Sequence, residues 1–202
     1  MLSVSAGFAN YSRLANAEKL FVWLLGMTLV TEITAFIFFI NGRNNMPLYQ
    51  IFGLVYYLVI VQYFSTSLKD FPTRFVFRGL QFIGVTAFVL NLLFLQPLNV
   101  FSSHFFMMMS VVIICLCLLS FYRLLSATIS LNLAISRRFW IDVILIVFWS
   151  ITFLNWGLYN VLHKLLEENF WWVRFMLLTI NVVTYFALGF VLSRKHIESH
   201  DN

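Results

Sequence analysis

Charge is scarce in this chain: Asp, Glu, Lys and Arg make up 10% of its 202 residues, while 61% are hydrophobic and the mean hydropathy is +0.89. Soluble domains carry about a quarter of their residues as charges, so that class is excluded. Cysteine is almost missing. Cys115 and Cys117 are the only two, and at a spacing of two on a helix they point to nearly opposite faces, which excludes a disulfide framework and a CxxC redox or zinc site. No two of the eight glycines are four residues apart, so no GxxxG pair is present, and no internal repeat marks an inverted-repeat transporter. Catalytic motifs are lacking as well. HExxH, G-x-S-x-G, a P-loop and a Gly-rich dinucleotide turn are all absent, and the last apolar run has no lysine for a retinal Schiff base. The chain is therefore expected not to be an enzyme and to need no cofactor or metal.

What is present is long apolar runs. Six of them, at about 20–40, 47–65, 75–95, 101–121, 139–162 and 170–192, each suffice to cross a bilayer as a helix. Only structures that satisfy their own backbone polar groups cross hydrocarbon. The predicted fold is all-α, a single transmembrane bundle over 1–202. Residues 1–19 hold no run long enough to cross and lack the charged start and cleavage site of a signal peptide, which predicts an interfacial lead-in. The connection 123–138 is the longest and is of intermediate polarity, which predicts an amphipathic helix on the membrane surface.

The net charge of +5 sits in short caps between the apolar runs rather than in a patch, so the expected partner is the lipid bilayer and not nucleic acid. Six spans put Arg13, Lys19, Lys69, Arg74, Arg78, Arg123, Arg137, Arg138, Arg194 and Lys195 on one side, and only Arg43, Lys164 and Arg174 on the other. The positive-inside rule then predicts both termini in the cytoplasm.

The first run contains an acid, Glu32, at a depth where a charge costs about 2.5–3.5 kcal/mol on insertion scales. With Thr28 and Thr31 it forms a polar stripe at helical spacing. Comparable stripes run through Gln50, Gly53 and Tyr57, through Trp149, Trp156 and Asn160, and through Arg174, Asn181 and Tyr185, with Asn91, His104 and Asn155 at compatible depths. Two readings stand: hydrogen-bonding glue between helices, or a polar cavity open to the outside. Glu32 is expected to pair with Arg174 and Asn181, the alternatives being a protonated Glu32 with Arg174 turned to the headgroups, or a Glu32 that binds a cation or ligand. His104 has no second ligand at metal spacing on its helix. Asp142, four residues after Arg138, is expected to pair with it.

The residues Tyr11, Ser12, Arg13 and Leu14 through Glu32, the turn Asn44-Asn45-Met46-Pro47-Leu48-Tyr49, and Arg138-Phe139-Trp140-Ile141 resemble small polytopic membrane proteins, of six or seven spans, common in Bacteroidetes-type bacteria. Those proteins pair a helix-borne Glu with a similar turn. They differ in having a helix before the equivalent of Tyr11, and often a Glu where this chain has Val61 and Gln62. The resemblance implies architecture and a bacterial inner membrane, but no activity. The expected function is a sensor or interaction subunit acting in signalling through a protein partner or a second copy, docked at Arg123, Arg137, Arg138 and Asp142. The alternative is a small-solute or ion transporter or channel using Glu32, and the third reading is an intramembrane enzyme.

Overall fold

A computed structural model of the chain describes residues 2–68, 74–126, 136–165 and 170–193, with the backbone alone at 2–4, 6, 74, 158–165, 170–174 and 177. All regular structure among them is helical: α1 Leu2–Ala9, α2 Asn16–Ile40, α3 Met46–Ser67, α4 Arg74–Leu90, α5 Ser103–Ser126, α6 Arg137–Leu165 and α7 Phe170–Ser193. Five segments, Asn16–Ile40, Met46–Ser67, Phe75–Leu95, Ser103–Ser126 and Arg137–Gly157, are long and apolar enough to cross a membrane, and α7 adds the shorter apolar stretch Leu178–Ser193. The protein is a multi-pass helical membrane bundle. Its outer surface agrees: Phe75, Phe82 and Phe94 of the α4 region and Phe39 of α2 are more than two-thirds exposed, facing where lipid tails would lie.

The lead-in is more structured than its length predicts. α1 packs on α7 and on α2, followed by a single tight turn at Tyr11–Arg13, and α2 starts at Asn16. Eight isolated residues do not hold a helix. Packing against two long neighbours does. Most of the connection 123–138 and the tail from residue 194 lie outside the described residues, as does the amphipathic helix expected in that connection.

Helix ends are closed by local chemistry. Gly42, at φ +65°, lets the chain turn back after α2, so that the Arg43 N–H reaches the Phe38 carbonyl (2.9 Å) and the Gly42 N–H that of Phe39 (3.0 Å). α3 then opens with Pro47 in its first turn, where no donor is lost. Its start is held by the Asn44 side chain, which accepts from the Met46 N–H at 2.9 Å.

α5 and α6 share the broadest interface, followed by α2 with α3. Ser110, Cys117 and Ser120 on α5 are fully buried and small, which permits close approach. Cys115 faces outward while Cys117 is buried. The core is aromatic. Phe21 meets the Tyr63 ring edge-on at 4.5 Å between centroids, and Phe88 meets Phe105 at 5.2 Å. Between α3 and α4 the Tyr57 ring lies directly on Gly84 and its hydroxyl donates to the Leu80 carbonyl at 2.7 Å. A Cβ at position 84 would fall 1.9 Å from a Tyr57 ring carbon. Gly84→Ala is therefore expected to cost about 1–3 kcal/mol of overpacking strain, more than the roughly 0.6 kcal/mol of a membrane hydrogen bond lost in Tyr57→Phe. Thermal unfolding in detergent measures both. The reverse order would show that α3 and α4 are not in contact there.

Candidate functional site

The most polar part of the bundle lies where the start of α2, the end of α3 and the start of α6 meet. Glu18, in the first turn of α2, accepts the Ala15 N–H at 3.0 Å, closing the helix start, and the same oxygen takes Arg137 Nη1 at 3.2 Å. Both side chains are at least nine-tenths buried. A carboxylate at a helix N-terminus is favourable in itself. Here it also ties together positions 119 residues apart.

Arg138 points the other way. Its Nη1 donates to the Ser67 carbonyl at 2.8 Å, satisfying an orphan acceptor at the end of α3 with a cation, the sign a helix C-terminus favours. Its Nε and Nη2 donate to Ser120 Oγ at 3.2 and 3.0 Å, and the Ser120 hydroxyl donates in turn to Asp142 Oδ2. The expected direct pair of Asp142 with Arg138 is thus replaced by a relay, because a serine from α5 stands between them. Asp142 is fully buried. The buried Tyr63 hydroxyl lies beside this carboxyl and beside Ser67.

Beside these groups opens a recess of about 400 Å³. Asn16, Ala17 and Glu18 line it from α2, Tyr63, Thr66 and Ser67 from α3, and Arg138 from α6. Its size falls in the range of small-molecule sites, and its walls mix polar and apolar groups. No protein-family model, curated protein or solved structure matches the chain. The site therefore has to be read from its own chemistry.

Of the residues expected to line an outward cavity, Thr28, Glu32 and Tyr185 lie near one another, and several of the others bond to backbone. Thr28 is buried and donates to its own helix at the Leu24 carbonyl (2.8 Å), and Asn155 does the same to Ile151 (3.0 Å). Gln50 is buried and its amide donates to the carbonyls of Pro97 (3.1 Å) and Val100. Asn91 donates to Ser102 Oγ at 2.5 Å, and Tyr57 is occupied by Leu80. His104 is exposed, with its backbone N–H on Gln96 Oε1 at 3.3 Å. Among the described residues no group of three His, Cys, Asp or Glu could hold a metal. Asn181 and Tyr185 are half-buried. Between Thr28, Tyr56, Thr184 and Tyr185 the gap is only about 20 Å³, the size of one water.

Glu32 is exposed and accepts from the Tyr49 hydroxyl of α3 at 3.1 Å, with Tyr185 of α7 near enough to feel its charge. The side chains of Asn160 and Arg174 lie outside the described residues. The docking residues also sit differently. Arg137 is buried against Glu18, Arg138 and Asp142 are engaged inside the bundle, and Arg123 is half-buried. They hold helix ends together instead of presenting a free basic surface. Glu18 was not among the expected site residues. An acid in the first turn of a helix at the basic end was the signal available for it.

Removing one charge of the Glu18–Arg137 pair strands the other. Glu18→Gln keeps the helix cap and is expected to destabilise by about 3 kcal/mol, as is Arg137→Gln, whereas the double variant recovers part of the loss. Thermal unfolding of the four proteins measures the coupling. Additive losses would mean that the two charges do not interact.

Proposed function

We propose that this protein is a membrane-embedded sensor or interaction subunit that works through a partner, with its binding site in the recess at the basic end of the bundle. The observation that carries this reading is the polar recess of about 400 Å³ where α2 and α6 begin and α3 ends, lined by Asn16, Glu18, Thr66, Ser67 and Arg138. A carrier needs a polar path reaching both faces. Glu32, the acid such a path would use, is exposed and held by the Tyr49 hydroxyl.

We place the recess in the cytoplasm. In support, Arg13, Lys19, Arg78, Arg123, Arg137 and Arg138 all belong to that end of the helices, while Arg43 lies at the other. The resemblance to Bacteroidetes-type membrane proteins supports a bacterial inner membrane. Output through a second protein is part of this reading. Because Arg137 and Arg138 are engaged within the bundle, partner recognition at this end involves the recess rim more than those two cations.

Orientation is tested by thiol labelling in a Cys115→Ser, Cys117→Ala background. Cysteines at exposed Arg43 and Asn99 are expected to react with an impermeant reagent in intact cells, and those at exposed Arg13 and Ser126 only after lysis. The opposite pattern inverts the protein. Reconstitution tests the function. Liposomes containing the pure protein are expected to pass protons, sodium and potassium no faster than empty ones, and protein-dependent flux abolished by Glu32→Gln would replace the subunit reading with transport.

A further inference from the structure

Resting on the reading that this protein works through a partner, we infer that it docks a second protein's membrane-spanning helix between the outer halves of α2 and α7, through a basic side chain that meets Glu32. Glu32 belongs to a span and stands eight residues before Ile40, about 12 Å along the helix from its outer end. It is exposed at that depth. The Tyr49 hydroxyl donates to its Oε2 at 3.1 Å, and among the described residues no cation is paired with it. A carboxylate that faces lipid tails is costly until a donor or a cation covers it. Tyr49 supplies a donor and leaves the charge unanswered.

The groove follows from how α7 packs. It leans on α1 and α6, and Tyr185 comes close enough to feel the charge of Glu32, with its hydroxyl on that of Thr28. Tyr49, near both Glu32 and Tyr185, closes the floor. Further out each helix leaves a row open. Phe36 and Phe39 follow Glu32 at helical spacing on α2, and Asn181 and Leu178 precede Tyr185 on α7. Asn181 is half-buried and the other three are exposed. Because α2 and α7 run antiparallel, both rows continue outward from the level of Tyr185.

An apolar trough with one acid in it matches a helix that is apolar apart from one basic residue at the depth of Glu32. Other occupants fit less well. The gap beside Thr28 and Tyr185 is about 20 Å³, room for a water and not for an enclosed solute. A second copy of this chain offers Arg13 and Arg43 only beyond helix ends and Arg78 only in the opposite half, and a twofold contact would set Glu32 against Glu32.

Synthetic single-span peptides test the pairing. Each is Leu/Ala-rich, carries Lys, Gln or Glu about 12 Å from one end, and bears an acceptor dye. The full chain, labelled with a donor dye at Arg43→Cys in the Cys115→Ser, Cys117→Ala background, is reconstituted with them in liposomes and association is read by energy transfer. The Lys peptide is expected to bind the otherwise unaltered chain about tenfold or more tighter than the Gln peptide. Glu32→Gln is expected to erase that preference at unchanged unfolding temperature, and Tyr49→Phe to weaken it by a smaller factor. Glu32→Lys is expected to transfer the preference to the Glu peptide, a reversal that a merely destabilised bundle would not give. Equal binding of the Lys and Gln peptides overturns the proposal, and so does a Lys preference that survives Glu32→Gln. Self-association of the chain that Glu32→Gln abolishes would assign the groove to a second copy instead. A Lys preference that emerges only with Arg174→Gln would mean that the chain's own arginine fills the place, and it overturns the proposal as well. Such a failure with impermeable liposomes removes the groove and keeps the subunit reading, whereas protein-dependent flux removes the subunit reading whatever the peptides do.

Discussion

Hydrocarbon offers no hydrogen bonds, so every polar group that enters it must be answered from within the chain, and this requirement shapes the bundle. The commonest answer is the least visible one. Thr28, Thr34, Thr66, Ser110, Ser126, Thr152 and Thr179 each donate a hydroxyl to the carbonyl four residues back on their own helix. A hydroxyl answered this way is neutral towards its neighbours. Helix contacts are then left to packing of small and aromatic side chains, with Tyr57 on Gly84 as the tightest case.

Charges follow the same requirement and end up where helices end. Successive helices alternate in direction, so the positive starts of α2 and α6 lie beside the negative finish of α3. Glu18 answers one and Arg138 the other. Because the partners come from helices far apart in the chain, these contacts tie α2, α3, α5 and α6 together beside the polar recess.

Most of the architecture could be read from hydropathy. All six apolar runs correspond to helices, since twenty consecutive apolar residues have one structural solution in lipid. α1 was not legible, because eight residues with Gly7 near their end carry no periodic signal and depend on α7 and α2 for their helicity. The site was legible in half. Arg138 and Asp142 announce themselves by spacing, but the serine between them comes from another helix, and the Glu18–Arg137 contact spans most of the chain. Polar stripes misled for a physical reason: Thr28 and Asn155 look alike on paper whether they face a cavity or fold back on their own backbone.

The last turn of the α4 region is wound wider than an α-helix. Over Asn91–Leu95 the chain closes five-residue loops, with the Gln96 N–H on the Asn91 carbonyl at 2.7 Å. That one surplus residue aims Asn91 at Ser102 and lets Gln96 reach Ser103 at 2.9 Å, while Gln50 and Asn44 grip the same connection from α3 and the turn before it. Deleting a residue here would restore an ordinary helix and rotate everything beyond it by about 100°, unhooking both contacts together. Along a lineage this stretch can therefore exchange side chains, but its length is locked: an insertion or deletion must arrive with a compensating change in the connection that follows.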